Sequence, residues 1–392
     1  MRMMITGFTA FLIAVLGWSL PLTAQSEDAP YQIEVVAEGL VYPWSLAFLP
    51  GGEMLVTERP GRVRRLSAAG ELSEPLSGVP EVLFVSKSQA GLFDIVPHPN
   101  FAENGFVYFA YSYGPQEENA LRLSRARLAN DALENVEVLF TAEPTRTTGA
   151  HFGGRILFLP DDTLLLTVGD GFDYREQAQV LENHIGTFVR LNDDGSIPAD
   201  NPFIEVEGAR PEIWSYGHRN PQGLTRDPVS GAIYSTEHGP QGGDELNLIR
   251  AGENYGWPVA THGLDYSNQL VTPFTTYEGM VDPLLSWVPS IAPSGLAVYR
   301  GAMFPEWDGD LLAGALIPGD APEGVTGHVR RIELEDGEVV DEEILFAEIS
   351  ERVREVRIAD DGSIWILTDA KARSILTPPT LTSQVLRISR RP

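Results

Sequence analysis

The chemistry open to this chain of 392 residues sits in a few short stretches rich in His, Arg, Asn and Gly. His151 stands in "TTGAHFGGRILFLP", followed by two glycines that let the backbone run close to another group. A neutral imidazole there could remove a proton near neutral pH, although a lone histidine serves equally well as a hydrogen-bonded structural group. In "SYGHRNPQGL", Arg219 offers a planar cationic fork and Asn220 both donates and accepts. In "STEHGPQGGDELNLI", Gly239 and Pro240 form a tight turn whose carbonyls could face a hard cation such as calcium, with Asp244 and Glu245 close by. Arg352 and Arg354, two apart, share one face of a strand and could receive an anion together. Each signal has a plain structural alternative: a paired arginine, an empty turn, an exposed basic strand. His98, in "VPHPNF", reads as a turn residue.

Positioning such scattered groups requires a repetitive scaffold. Six apolar hairpins recur along the chain, at residues 44–59, 93–112, 154–170, 222–239, 295–316 and 354–369. Each has β-branched or aromatic residues flanking a turn of Pro, Asp, Gly or Asn. Amphipathic helix patterns are absent, and 38 Gly with 29 Pro suit short strands and many turns. The reading is all-β, a six-bladed β-propeller formed by residues 25–392 as one domain. Two stacked β-sandwiches are the competing arrangement. "YQIEVVAEGL" and "SQVLRISRR", the first and last strands of that domain, are expected to pair and close the ring.

Residues 1–24 read as a secretory signal: Arg2, an apolar run, then a small-residue cleavage site at Leu22, Thr23 and Ala24. The mature protein is therefore expected in the periplasm, off the membrane once the signal is cleaved. With no cysteine, its core rather than disulfides must hold it together. Lys and Arg number 28 against 55 Asp and Glu, a formal net charge of -27. That surplus excludes nucleic acid and anionic membrane surfaces as natural partners.

Taken in order, "AFLPGGEMLVTERPGRVRRL", "SQAGLFDIVPHPNF", "HFGGRI", "IWSYGHRNPQGL", "TEHGPQGGDELNLIRAGENYGWP" and "SIAPSGLAVYRG" resemble the soluble pyrroloquinoline quinone (PQQ)-dependent aldose sugar dehydrogenases, the glucose/sorbosone dehydrogenase family. The likeness runs from about Gly39 to Asp369. It implies a six-bladed propeller that uses PQQ and Ca2+ to oxidise an aldose to its lactone and passes electrons to an external acceptor. It also implies roles for individual residues. His151 would be the general base, Gln89 would lie beside sugar and cofactor, and Arg219 and Asn220 would contact the quinone oxygens. Gly239 and Pro240 would ligate calcium through their carbonyls, Arg352 and Arg354 would bind the cofactor carboxylates, and Trp287 would face the substrate.

The sequence departs from the family pattern in two places. Ile317 stands where the family commonly has a lysine reaching the cofactor, and an apolar side chain cannot replace it. The insertion that follows brings His328 and Arg330 as candidate substitutes. Ala150, before the expected base, offers no acidic contact to a sugar hydroxyl. Two further functions fit the same fold, a calcium-dependent lactonase and a non-catalytic carbohydrate- or protein-binding propeller. A hydrolase would have little use for three arginines directed at a large anion.

Overall fold

Each of the six hairpins becomes the two inner strands of a four- or three-stranded antiparallel sheet, and the sheets are arranged as blades around a central axis. The computed structural model describes residues 29–370 and 383–391. The expected signal at 1–24 lies outside them. The innermost strands of blades 1 to 6 are Pro43–Phe48, Leu92–Pro97, Gly153–Phe158, Pro221–Arg226, Pro293–Val298 and Val353–Ile358. Each packs against the next, and the sixth against the first. This is a closed ring, so the stacked-sandwich arrangement is excluded.

Closure comes from the strand pairing expected of the chain ends. Tyr31–Leu40 lies antiparallel to Ser383–Arg390 as the outer strand of blade 6. Pairing the N-terminal strand with the last blade removes two open edges and joins the first and last blades of the ring. Among the described residues, helix is confined to the single turn Phe101–Asn104 and three 3-10 turns. No helix among the described residues is long and apolar enough to cross a membrane.

The hydrophobic core lies between blades rather than at one centre. Trp44, Phe93, Phe152, Ile156, Leu164 and Val189 come from three consecutive blades and pack together, with the Phe93 and Phe152 ring centroids 5.4 Å apart. Full burial of one such large side chain is worth roughly 1.5–3 kcal/mol, so the many inter-blade layers lock the ring without disulfides.

Along the innermost strands, successive side chains point to opposite faces of the blade. The third residue of blades 1, 2, 3 and 6 is Ser45, Asp94, Arg155 and Glu355, and these four are joined across the axis. Arg155 pairs with Glu355 and lies 3.8 Å from Asp94, while Ser45 Oγ donates to Asp94. In blade 5 the equivalent residue is Gly295, where a Cβ would sit 2.2 Å from a Glu355 carboxylate oxygen. This buried ion network plugs the channel and gives the mouth a rigid floor.

Candidate active site at the channel mouth

In an antiparallel hairpin the residue entering the first strand lies beside the residue leaving the second. The loops before the inner strands supply Gln89, His151, Arg219, Asn220 and Arg352. The residues that leave the partner strands are Arg59, Asp170, His238 and Asp369. The backbone records these meetings: Asp369 N–H donates to the Arg352 carbonyl at 2.8 Å, and Asp170 N–H reaches across to the Arg219 carbonyl at 2.7 Å.

His151 is nearly buried, at 4% exposed, and takes a left-handed backbone with φ 51°. Its main chain is held from two sides, by N–H donation to Gln89 Oε1 at 2.9 Å and by Arg146 donating to its carbonyl at 2.9 Å. No side chain fits at Gly169, because a Cβ there would lie 2.2 Å from that same carbonyl. The imidazole Nδ1 is 2.6 Å from Asp170 Oδ1. Asp170 is fixed in turn by the Trp257 indole N–H at 2.8 Å and the Phe172 backbone N–H at 2.8 Å. Burial alone would raise the Asp170 carboxyl, but His151, Arg219 and the backbone donor together hold it below the usual carboxylate range. An ionised Asp170 only accepts, so Nδ1 carries the proton and Nε2 keeps its lone pair. Burial, opposed by Asp170, keeps the imidazole pKa below its ordinary value, which leaves a neutral base at neutral pH.

A cavity of about 480 Å³ opens at the mouth. Its wall carries Gln89, Arg352 and Arg354, the apolar faces of Trp44 and Phe93, and Arg59, Lys87 and His238, with Asp369 as its one acid among the described residues. Arg352 and Arg354 share Asp369 at 3.4 and 3.7 Å. Burial, helped by Arg352, Arg155 and Arg59, pushes the Arg354 guanidinium down to about 9. An anion in the cavity would relieve that excess of positive charge. Arg354 Nε, Arg219 Nε and Asn220 Nδ2 are also buried donors without a hydrogen-bond partner among the described residues. Unsatisfied donors, apolar walls and surplus cations fit a flat ligand with several carboxylates.

Arg219 and Pro240 line an adjoining cavity of about 320 Å³ together with Phe172, Trp257 and Tyr266. Phe172 packs edge-on against His151 with centroids 5.2 Å apart and stacks on Tyr266 at 6.0 Å. The two rings form an exposed aromatic wall beside the base. For calcium, the Gly239 carbonyl accepts from the Arg219 guanidinium, so a cation ligated there would share or displace that bond. Asp244 is not available as a ligand: its carboxylate accepts from the backbone N–H groups of Gly239, Ile291 and Ala292 and clamps two loops. Glu245 accepts from Asn247, and burial, reinforced by Glu237, raises its carboxyl well above the usual range.

The structure sets three sequence expectations apart from the mouth. Trp287 belongs to the outer strand of blade 4, far from the axis; it is 5% exposed, and its indole donates to Glu342 of blade 5 at 2.7 Å. It joins two blades and lines neither cavity. His328 and Arg330 are buried on an outer strand of blade 5, bonded to each other, and Arg330 also pairs with Asp320. His98 does serve a turn, accepting from the backbone N–H of Asn100 at 2.9 Å.

Sequence reasoning missed Arg59, Lys87, Asp170, His238 and Asp369. All but Lys87 stand within two residues of the end of the second strand of a hairpin that the sequence does show, and that place was the signal available.

Comparison with known proteins agrees with this geometry. The family model described as glucose / sorbosone dehydrogenase matches residues 40–377. The chain is 38% identical to aldose sugar dehydrogenase YliI of Escherichia coli, over 93% of this chain and 97% of that protein. The crystal structure of the soluble aldose sugar dehydrogenase from Escherichia coli in the apo-form superposes with a TM-score of 0.83 at 36% identity, covering 92% of this chain and all of that one. The PQQ-bound form of aldose sugar dehydrogenase from Streptomyces coelicolor gives 0.71 at 27% identity, covering 92% and 99%. A family match over most of the chain, joined to a six-bladed ring with its basic cavity at one mouth, means that this protein belongs to the glucose/sorbosone dehydrogenase family.

Proposed function

We propose that the protein is an exported PQQ- and calcium-dependent dehydrogenase that oxidises an aldose at its anomeric carbon to the lactone. The observation that carries this reading is the His151–Asp170 pair set beside a cation-lined cavity with unsatisfied donors. Arg352 and Arg354 would hold the cofactor carboxylates, Arg219 and Asn220 the quinone oxygens, and the Gly239 and Pro240 carbonyls the calcium. When bound, the quinone supplies a two-electron hydride acceptor, and calcium polarises the carbonyl that receives the hydride.

The chain's own residues then do the proton work. His151 Nε2 takes the proton of the anomeric hydroxyl while hydride leaves the same carbon, so the C–O bond becomes the lactone carbonyl. Asp170 holds the ring in the correct tautomer and stabilises the imidazolium that forms. Phe172 and Tyr266 offer apolar faces for a sugar and screen the base from water. Electrons leave to an external acceptor, and the mature protein works in the periplasm after removal of residues 1–24.

Titration of the metal-stripped mature protein with PQQ and calcium, followed by dye reduction with a panel of aldoses, tests the reading. Stoichiometric reconstitution with sugar-dependent dye reduction is expected. Absence of PQQ binding at micromolar concentrations would overturn it.

A further inference from the structure

Ile317 brings no cation to the cavity at the mouth, whose lining includes its neighbour Leu316 instead. Ile317 is 37% exposed, its backbone N–H bonds to the Ile291 carbonyl at 3.2 Å, and its side chain has no charge to offer. The cations that do line the cavity are Arg59, Lys87, Arg352 and Arg354. Three of these are already engaged. Arg352 and Arg354 share Asp369. Arg59 donates to the carbonyls of Ser88 at 2.6 Å and Ala90 at 3.3 Å and lies over the rings of Tyr42 and Phe84. Lys87 has no carboxylate within ion-pair distance among the described residues.

Lys87 is nevertheless on a fixed turn. Ser88 N–H closes the turn on the Val85 carbonyl at 2.9 Å, and Arg59 grips it from below through Ser88. Gln89 ties it to the catalytic loop, donating its N–H to the Gly149 carbonyl at 2.8 Å and accepting the His151 N–H. The ammonium thus rides on a flexible stem from a rigid base, a geometry suited to a carboxylate at variable height. Arg59 acts as a positioning residue for this turn.

We propose that Lys87 supplies the cationic contact to a carboxylate of the bound cofactor that the residue at 317 cannot make. The inference rests on the PQQ reading above and concerns binding rather than chemistry. It also places the substitute on the turn that carries Gln89, which holds the backbone of the base.

The test is a PQQ titration of the metal-stripped mature protein with calcium present and neither sugar nor dye, read by quenching of tryptophan fluorescence at low and raised salt. Lys87→Ala is expected to weaken binding about tenfold, in line with loss of one charge-assisted hydrogen bond, and to flatten the salt dependence. Lys87→Arg should keep most of the affinity, and Lys87→Glu should lose more than Lys87→Ala. Thermal melting of each variant identifies any that fails to fold; the side chain is exposed on a turn, so none is expected to. Equal affinity in wild type and Lys87→Ala overturns this proposal alone. No PQQ binding by the wild type overturns it together with the proposed function.

Discussion

His151 Nδ1 lies 2.6 Å from Asp170 Oδ1, and the two residues flank one hairpin, two positions before its first strand and two after its second. The distance is that of a charge-assisted hydrogen bond, and it sets which nitrogen of the ring is free to act.

Replacing either partner should therefore strike turnover rather than cofactor binding. His151→Gln is expected to lower the sugar-dependent kcat by roughly 10²- to 10⁴-fold, the usual worth of general-base catalysis. Asp170→Asn should cost a comparable factor by releasing the tautomer, with a smaller change in KM. Stopped-flow dye reduction at saturating PQQ, alongside a cofactor titration of each variant, separates the two effects.

The pH profile carries a second prediction. Burial holds the His151 imidazole below its ordinary 6.5, so the base stays unprotonated under mildly acidic conditions. The acid limb of kcat/KM should have its midpoint below pH 6.5. Because Asp170 favours the protonated ring, Asp170→Asn should move that limb to still lower pH among the residual activity. A midpoint at or above 6.5 in the wild type would contradict the assignment.

Stability should depend heavily on Arg155, which is 2% exposed and joins Asp94 of blade 2 to Glu355 of blade 6. Arg155→Met strands two buried carboxylates, with Arg357 left to face both. Removing one partner of a buried pair costs about 3–5 kcal/mol. Urea denaturation should show a lower midpoint with an unchanged slope.

A fourth prediction concerns acid. His328 is fully buried, accepts from Arg330 Nε at 2.9 Å, and is pushed down to about 4 by burial and by Arg330. The folded state keeps it neutral down to that pH, whereas the unfolded chain takes up the proton near 6.5. The unfolded state binds more protons across this window, so stability falls as pH drops from about 6.5 to 4 and this contribution levels off below. His328→Gln should flatten the decline in Tm over the same interval.

The sequence by itself determined the blades. Turn residues between apolar strands are local signals, and all six hairpins, the pairing of the end strands and the family resemblance were legible from them. It also marked His151 and Arg219 by their company at the entrances to strands, and Arg352 and Arg354 by their spacing of two along one strand, while Gln89 was named through the family resemblance alone. The tertiary structure decided which polar residues meet. Asp170, His238 and Asp369 looked like ordinary hairpin endings, and their importance depends on which loop from which blade lies opposite. Trp287 shows the converse: the family resemblance implied a place facing the substrate, but the residue stands on the outermost strand of a blade, and no local pattern carries that distance from the axis. Lys87 is the same case on a smaller scale, since its role depends on a cavity whose walls come from separate blades.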